Sequence, residues 1–128
     1  MKRIKRIKPI LEGYSAEKSN CTVVALSAIT GLSYKECREI AETAGRKSGK
    51  GFRSVALIDF FNTQIAKRFR EVDLEKRLNV KAFCKEYPVG RYYVRKRGHA
   101  FSIIHGVVHE MYTVVTARSF VQTAWRFE

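Results

Sequence analysis

The sequence predicts an α+β domain: a helical N-terminal half with a buried helix, packed on a C-terminal antiparallel sheet. Three observations point there. Apolar residues recur at helical spacing in segments between residues 21 and 87. After Gly90 the pattern changes to the alternation of strands. The chain has 128 residues, 45% hydrophobic and 29% charged, which suits one core and argues against wholesale disorder.

Taken in order, residues 1–9 carry Lys2, Arg3, Lys5, Arg6 and Lys8 and end at Pro9, which reads as a basic, flexible arm. Residues 10–128 then form a single domain without repeats or linkers. Residues 21–30 read as a helix that is apolar nearly all round (Val23, Val24, Ala25, Leu26, Ala28, Ile29), hence interior, and Gly31 closes it. A second helix fits 34–44, where Ser33 and Glu36 have capping-box spacing and Tyr34, Cys37, Ile40, Ala41 and Ala44 share a face. The glycine-bearing loop 46–52 reads as a flexible rim, followed by a helix over 54–67 and a weak strand over 69–72. Residues 80–87 form a short helix capped by Asn79 and stopped by Pro88. Strands follow at 91–97, 99–104 and 107–112, with turns at Gly98 and His105-Gly106, and a last strand near 120–127.

The net charge of +13 attracts polyanions: a nucleic acid, an acidic protein or an acidic membrane surface. Nothing resembles a helix-turn-helix, a zinc finger or an RNA-recognition signature, so charge alone argues no sequence-specific reading. No apolar run approaches the roughly 20 residues of a membrane span. No apolar region follows the basic N-terminus, so a secretory signal is not expected. Three cysteines, Cys21, Cys37 and Cys84, are an odd count and read as free thiols in a reducing, cytoplasmic setting.

Cys21 is the candidate nucleophile. Ser19 or Asn20 can cap the helix, which leaves Cys21 in its first turn, where free N–H groups and the helix dipole favour a thiolate. His99, at the start of a strand, is the candidate base. With His105-Gly106 as a two-residue turn, Ile104 pairs with Val107 and Phe101 with Glu110, so His99 and Glu110 become diagonal neighbours on one face. A carboxylate there orients the imidazole; a one-residue slip would present His109 instead. Each residue also has a plain structural role: buried cysteine in a core, a histidine satisfied by a carbonyl, a solvent-exposed strand carboxylate. Cys37 and Cys84 lie on apolar helical faces and read as core. No paired ligands stand at metal-site spacing, and no cofactor is expected.

Asn20-Cys21 at a buried helix start, Gly90-Arg91-Tyr92-Tyr93-Val94 before Gly98-His99-Ala100, and Gly106-Val107-Val108 ahead of an acidic position resemble the small papain-like cysteine peptidases of bacteriophage and bacterial genomes. These are similar in layout to bacteriocin-processing peptidases, and the resemblance spans residues 18–127. It implies a papain-like fold with Cys21 as nucleophile, His99 as base and Glu110 at the position of the orienting acid, usually aspartate. It also implies a glutamine before the cysteine as oxyanion donor. This chain has Ser15 and no glutamine there, which leaves Asn20 or Ser19 beside the Cys21 N–H.

The function expected first is thus a cysteine peptidase or amidase acting on a peptide or isopeptide bond. The second is a catalytically weak papain-like binding protein of phage origin that engages a host protein or nucleic acid through its basic surface. A cysteine–histidine peptidoglycan hydrolase ranks last, because Thr22-Val23 departs from the small residue and glycine that usually follow its cysteine.

Overall fold

A computed structural model describes residues 4–47 and 49–128. Ten elements follow one another: β1 (Arg6–Ile7), α1 (Cys21–Thr30), α2 (Tyr34–Thr43), α3 (Ser54–Gln64), β2 (Phe69–Glu71), α4 (Val80–Glu86), β3 (Arg91–Lys96), β4 (His99–Ile104), β5 (Val107–His109) and β6 (Thr123–Phe127). The strands form one six-stranded sheet in the order β1-β5-β4-β3-β6-β2. The fold is mixed α/β.

The sheet is not purely antiparallel, and the reason lies in the basic N-terminal segment. Arg6 pairs with Val108 and Ile7 with His109, in parallel, so β1 is an edge strand where an arm was expected. The Val108 N–H donates to Lys5 O at 2.9 Å and the Glu110 N–H to Ile7 O at 3.3 Å, tying the segment to β5. Of the expected arm, residues 1–3 lie outside the described residues.

The sheet separates two clusters, so it is not simply the base for one helical half. Alternation along the strands sends Tyr93, Ala100, Trp125 and Phe127 to the side of α1, α2 and α3. Tyr92, Val94, Phe101, Ile103 and Ala124 go to the other side, with Val80 and Phe83 of α4. In α1, Val23, Ala25, Leu26 and Ile29 are fully buried, as its all-round apolar sequence predicts. Burying one such Leu or Ile contributes about 1.5–3 kcal/mol, which outweighs the helix's short length. Gly31 ends α1 at φ 77°, its N–H donating to Ser27 O.

Local signals are met elsewhere. Ser33 and Glu36 form the reciprocal capping box, and Asn79 Oδ1 accepts from the Ala82 N–H at 2.8 Å. α3 stops at Gln64, short of the predicted 67, because Asn62 turns back to the chain. Its side chain donates to Phe69 O and accepts from the N–H groups of Arg68 and Phe69, seizing the entry to β2. β5 ends at His109, short of Tyr112, where the Glu110 side chain turns inward. β6 begins at Thr123; before it, Phe120 makes an isolated bridge to Asn79.

Candidate active site

His105 and Gly106 both have positive φ, 48° and 76°, the signature of a two-residue hairpin turn with matching twist. The turn sets Ile104 opposite Val107, Ile103 opposite Val108 and Ser102 opposite His109, the register read from the sequence. Glu110 continues it and meets His99 on the face shared with Phe101. His99 Nε2 and Glu110 Oε2 are 3.0 Å apart, and the imidazole stacks on the Phe101 ring at 5.9 Å between centroids.

The carboxylate is held from its other side as well. Its Oε1 accepts from Arg6 Nη1 and, at 3.0 Å, from the Val115 N–H, while Arg6 Nη2 donates to Val115 O. The Glu110 side chain is only 2% exposed, so these partners replace water completely. Arg6 therefore belongs to the site. A residue 104 positions away along the chain leaves no local trace of that role.

His99 is the first residue of β4, at the end of the sheet, where its ring meets Cys21 at the start of α1. Burial pushes the Cys21 thiol up, but hydrogen bonding to His99, the N–H of Ala100, the charge of His99 and the N–H of Thr22 together bring it below the usual value. Burial alone would lower His99; hydrogen bonds to Cys21 and Glu110 and the charges of both raise it instead, to about 9. The two shifts are coupled, and both run in the direction that favours a proton on the imidazole over one on the thiol. The other two thiols go the opposite way. Burial pushes Cys37 to about 12 and Cys84 to about 11.

The expected caps and oxyanion donors behave differently. Asn20 occupies the N-cap of α1 without capping it; its Nδ2 donates to Ser15 O at 3.2 Å and to Tyr34 Oη at 3.1 Å. Both amide hydrogens are spent there, so Asn20 has none left for an oxyanion. Ser19 is exposed at φ 55° and makes no cap. The uncapped start leaves first-turn N–H groups of α1, that of Thr22 among them, beside the thiol.

A buried cation secures this loop. The Arg46 side chain, 0% exposed, meets Glu17 Oε1 at 2.6 Å and donates to Lys18 O and Ser19 O at 3.4 and 3.2 Å. Arg46, expected on a flexible rim, is instead the clamp on the turn that presents Cys21. Its exposed-looking sequence context gives no hint, because only a carboxylate supplied by the fold makes burial of a guanidinium tolerable.

A cleft of about 420 Å³ opens over the pair, bounded by Cys21, Thr22, His99, Ala100, the start of α3 and Arg95. Gly51 and Phe52 of the expected rim line it. Below it, Ser54 Oγ and Tyr93 Oη are 2.9 Å apart, joining α3 to the sheet. Among the described residues, no group of three or more His, Cys, Asp or Glu side chains is placed to hold a metal ion, and no helix is long and apolar enough to cross a membrane. No protein-family model, curated protein or solved structure matches the chain.

Proposed function

We propose that the chain is a papain-like cysteine hydrolase, a peptidase or amidase with Cys21 as nucleophile, His99 as proton carrier and Glu110 as orienting acid. One observation carries this function: of three thiols, only Cys21 is shifted toward the thiolate, by a histidine that is itself held by a buried carboxylate. A structural core cysteine gains nothing from such an arrangement.

The chemistry follows from the positions. The Cys21 thiolate attacks the carbonyl carbon, and a carbon–sulfur bond forms as the carbonyl oxygen takes up charge. The Cys21 N–H, at the start of α1 with no side-chain cap, is the backbone donor assigned to that oxygen. His99 gives its proton to the leaving amine as the carbon–nitrogen bond breaks. Water then attacks the thioester, His99 takes its proton, and the acid product leaves with the thiolate–imidazolium pair restored. With the Asn20 amide engaged elsewhere, one oxyanion donor is missing relative to the papain-like pattern, a loss worth about 10²–10³ in rate. Turnover is accordingly expected to be slow.

The test is labelling with iodoacetamide at neutral pH, read by mass spectrometry. Cys21 is expected to be labelled fast, and Cys21→Ala to abolish fast labelling, whereas Cys37→Ala and Cys84→Ala leave it intact. Equal, slow labelling of all three thiols refutes the function.

A second reading keeps the fold without the chemistry: a protein that binds a nucleic acid or acidic protein. It is favoured by a depression of about 700 Å³ lined by Lys76, Arg77, Lys96 and Arg97, in which the Arg77 guanidinium lies 3.7 Å from the centroid of the exposed Phe120 ring. Binding that falls steeply with salt and ignores Cys21→Ala would support it.

A further inference from the structure

We propose that the cleft over Cys21 selects substrates carrying carboxylates beside the bond to be cleaved, that is, acidic peptide segments, through Arg53 and Arg95. This deepens the hydrolase function proposed above and rests on it. Both arginines line the same cleft as Cys21 and His99, and among the described residues no Asp or Glu lines it. Neither guanidinium has a hydrogen-bonding or ion-pair partner among the described residues, unlike the two arginines that serve the fold, Arg6 and Arg46. Two unpaired cations on the walls of a concave site attract an anion far better than the same charges spread over a convex surface.

Other features act in the same direction. Arg53 is the N-cap of α3, which has no side-chain cap, so the helix start adds partial positive charge on the same wall. Arg95 lies two residues before the Arg97-Gly98 turn, and across that turn the second basic depression begins at Lys96 and Arg97. A peptide is favoured over a nucleic acid because the thiolate needs an acyl carbon to attack, and nucleic acids present none in their backbone.

The test requires no known substrate. Anionic iodoacetate and neutral iodoacetamide are of similar size, and with each the Cys21 thiolate displaces iodide to form a thioether. The readout is the ratio of their second-order rate constants at Cys21 in the full chain, compared with that of free cysteine thiolate. At low salt the ratio is expected to exceed the free-thiol ratio by about tenfold. It is expected to fall toward the free-thiol ratio in Arg53→Gln, in Arg95→Gln and at high salt, and to be retained in Arg95→Lys. The His99 charge is common to the wild type and the variants, so the fall in ratio on replacing Arg53 or Arg95 isolates the arginines. The excess over free cysteine includes the imidazole's share. Arg53 is exposed, so its substitution keeps the test valid if Arg95→Gln misfolds. Poly-glutamate is expected to protect Cys21 from iodoacetamide.

A brisk reaction with both reagents, at a ratio that neither substitution nor salt moves, overturns the acidic preference alone. Protection of Cys21 by an oligonucleotide but not by poly-glutamate also overturns it, in favour of nucleic acid. A Cys21 as inert as Cys37 toward both reagents overturns the hydrolase function itself, so the two failures are distinguishable.

Discussion

Replacing Glu110 by glutamine changes the hydrogen-bonding pattern of the site while keeping its shape. In the wild-type protein Oε1 faces two donors, Arg6 Nη1 and the Val115 N–H, and Oε2 faces His99 Nε2. An amide has one accepting and one donating end. With its NH₂ at the first position it would confront two donors; with its NH₂ at the second, only one. The second orientation wins and aims an N–H at His99 Nε2. An imidazolium has no lone pair there, whereas the neutral ring does. The charged form of His99 thus loses a charge-assisted hydrogen bond worth about 1.5–3 kcal/mol. At 1.36 kcal/mol per unit that lowers its pKa by about one to two units from its position at about 9.

Two measurements check this, an NMR titration of His99 and the pH profile of Cys21 alkylation by iodoacetamide. In the wild type His99 is expected to keep its proton up to about pH 9, and the rise of alkylation with pH to come below the ordinary thiol range. In Glu110→Gln the histidine gives up its proton earlier, the thiolate loses its counterion, and the alkylation limb moves upward. Below that limb the rate falls by about tenfold per unit of displacement. Superimposable titrations and alkylation profiles for the two proteins would refute the imidazolium–carboxylate pairing.

Two further outcomes are expected. Arg46→Met leaves Glu17 buried beside a neutral side chain; breaking a buried pair from one side costs about 3–5 kcal/mol, and because Arg38 also reaches Glu17 at 3.2 Å the lower end applies. Urea denaturation measures it, and a loss below about 1 kcal/mol would contradict the clamp. Arg6→Met removes one donor from Glu110 and the tie to Val115 O. With the Arg6 side chain 25% exposed, solvent screens part of the bond, so a stability loss of about 1 kcal/mol is expected. The alkylation limb should shift less than in Glu110→Gln, and no shift at all would remove Arg6 from the site.

Much of the fold was legible because its signals are short-range. The capping box at Ser33 and Glu36, the cap at Asn79 and the stop at Gly31 are decided within one helical turn. The α1 boundaries and the β4 boundaries fall at the predicted residues for the same reason. The site was legible through one device: a two-residue turn sets register, and register sets which side chains share a face, so His99 and Glu110 followed from His105-Gly106. Where side chains bind backbone at a distance, the local pattern misled. Asn62 shortened α3, and β1 appeared in a segment whose charge suggested an arm.

The amino-acid order by itself determined the helices, the hairpin register and the placement of one cysteine in the first turn of a buried helix, because each depends on dihedral preferences and periodicity over a few residues. Tertiary structure alone decided which cations do what. Among 25 Lys and Arg and 12 Asp and Glu, it assigned Arg6 to Glu110 and Arg46 to Glu17. It also spent the Asn20 amide on Tyr34 and Ser15 and placed Arg53 and Arg95 in the cleft with no ion-pair partner among the described residues. Charge pairing depends on distance and desolvation, and neither is defined until helix, sheet and N-terminal strand have packed together.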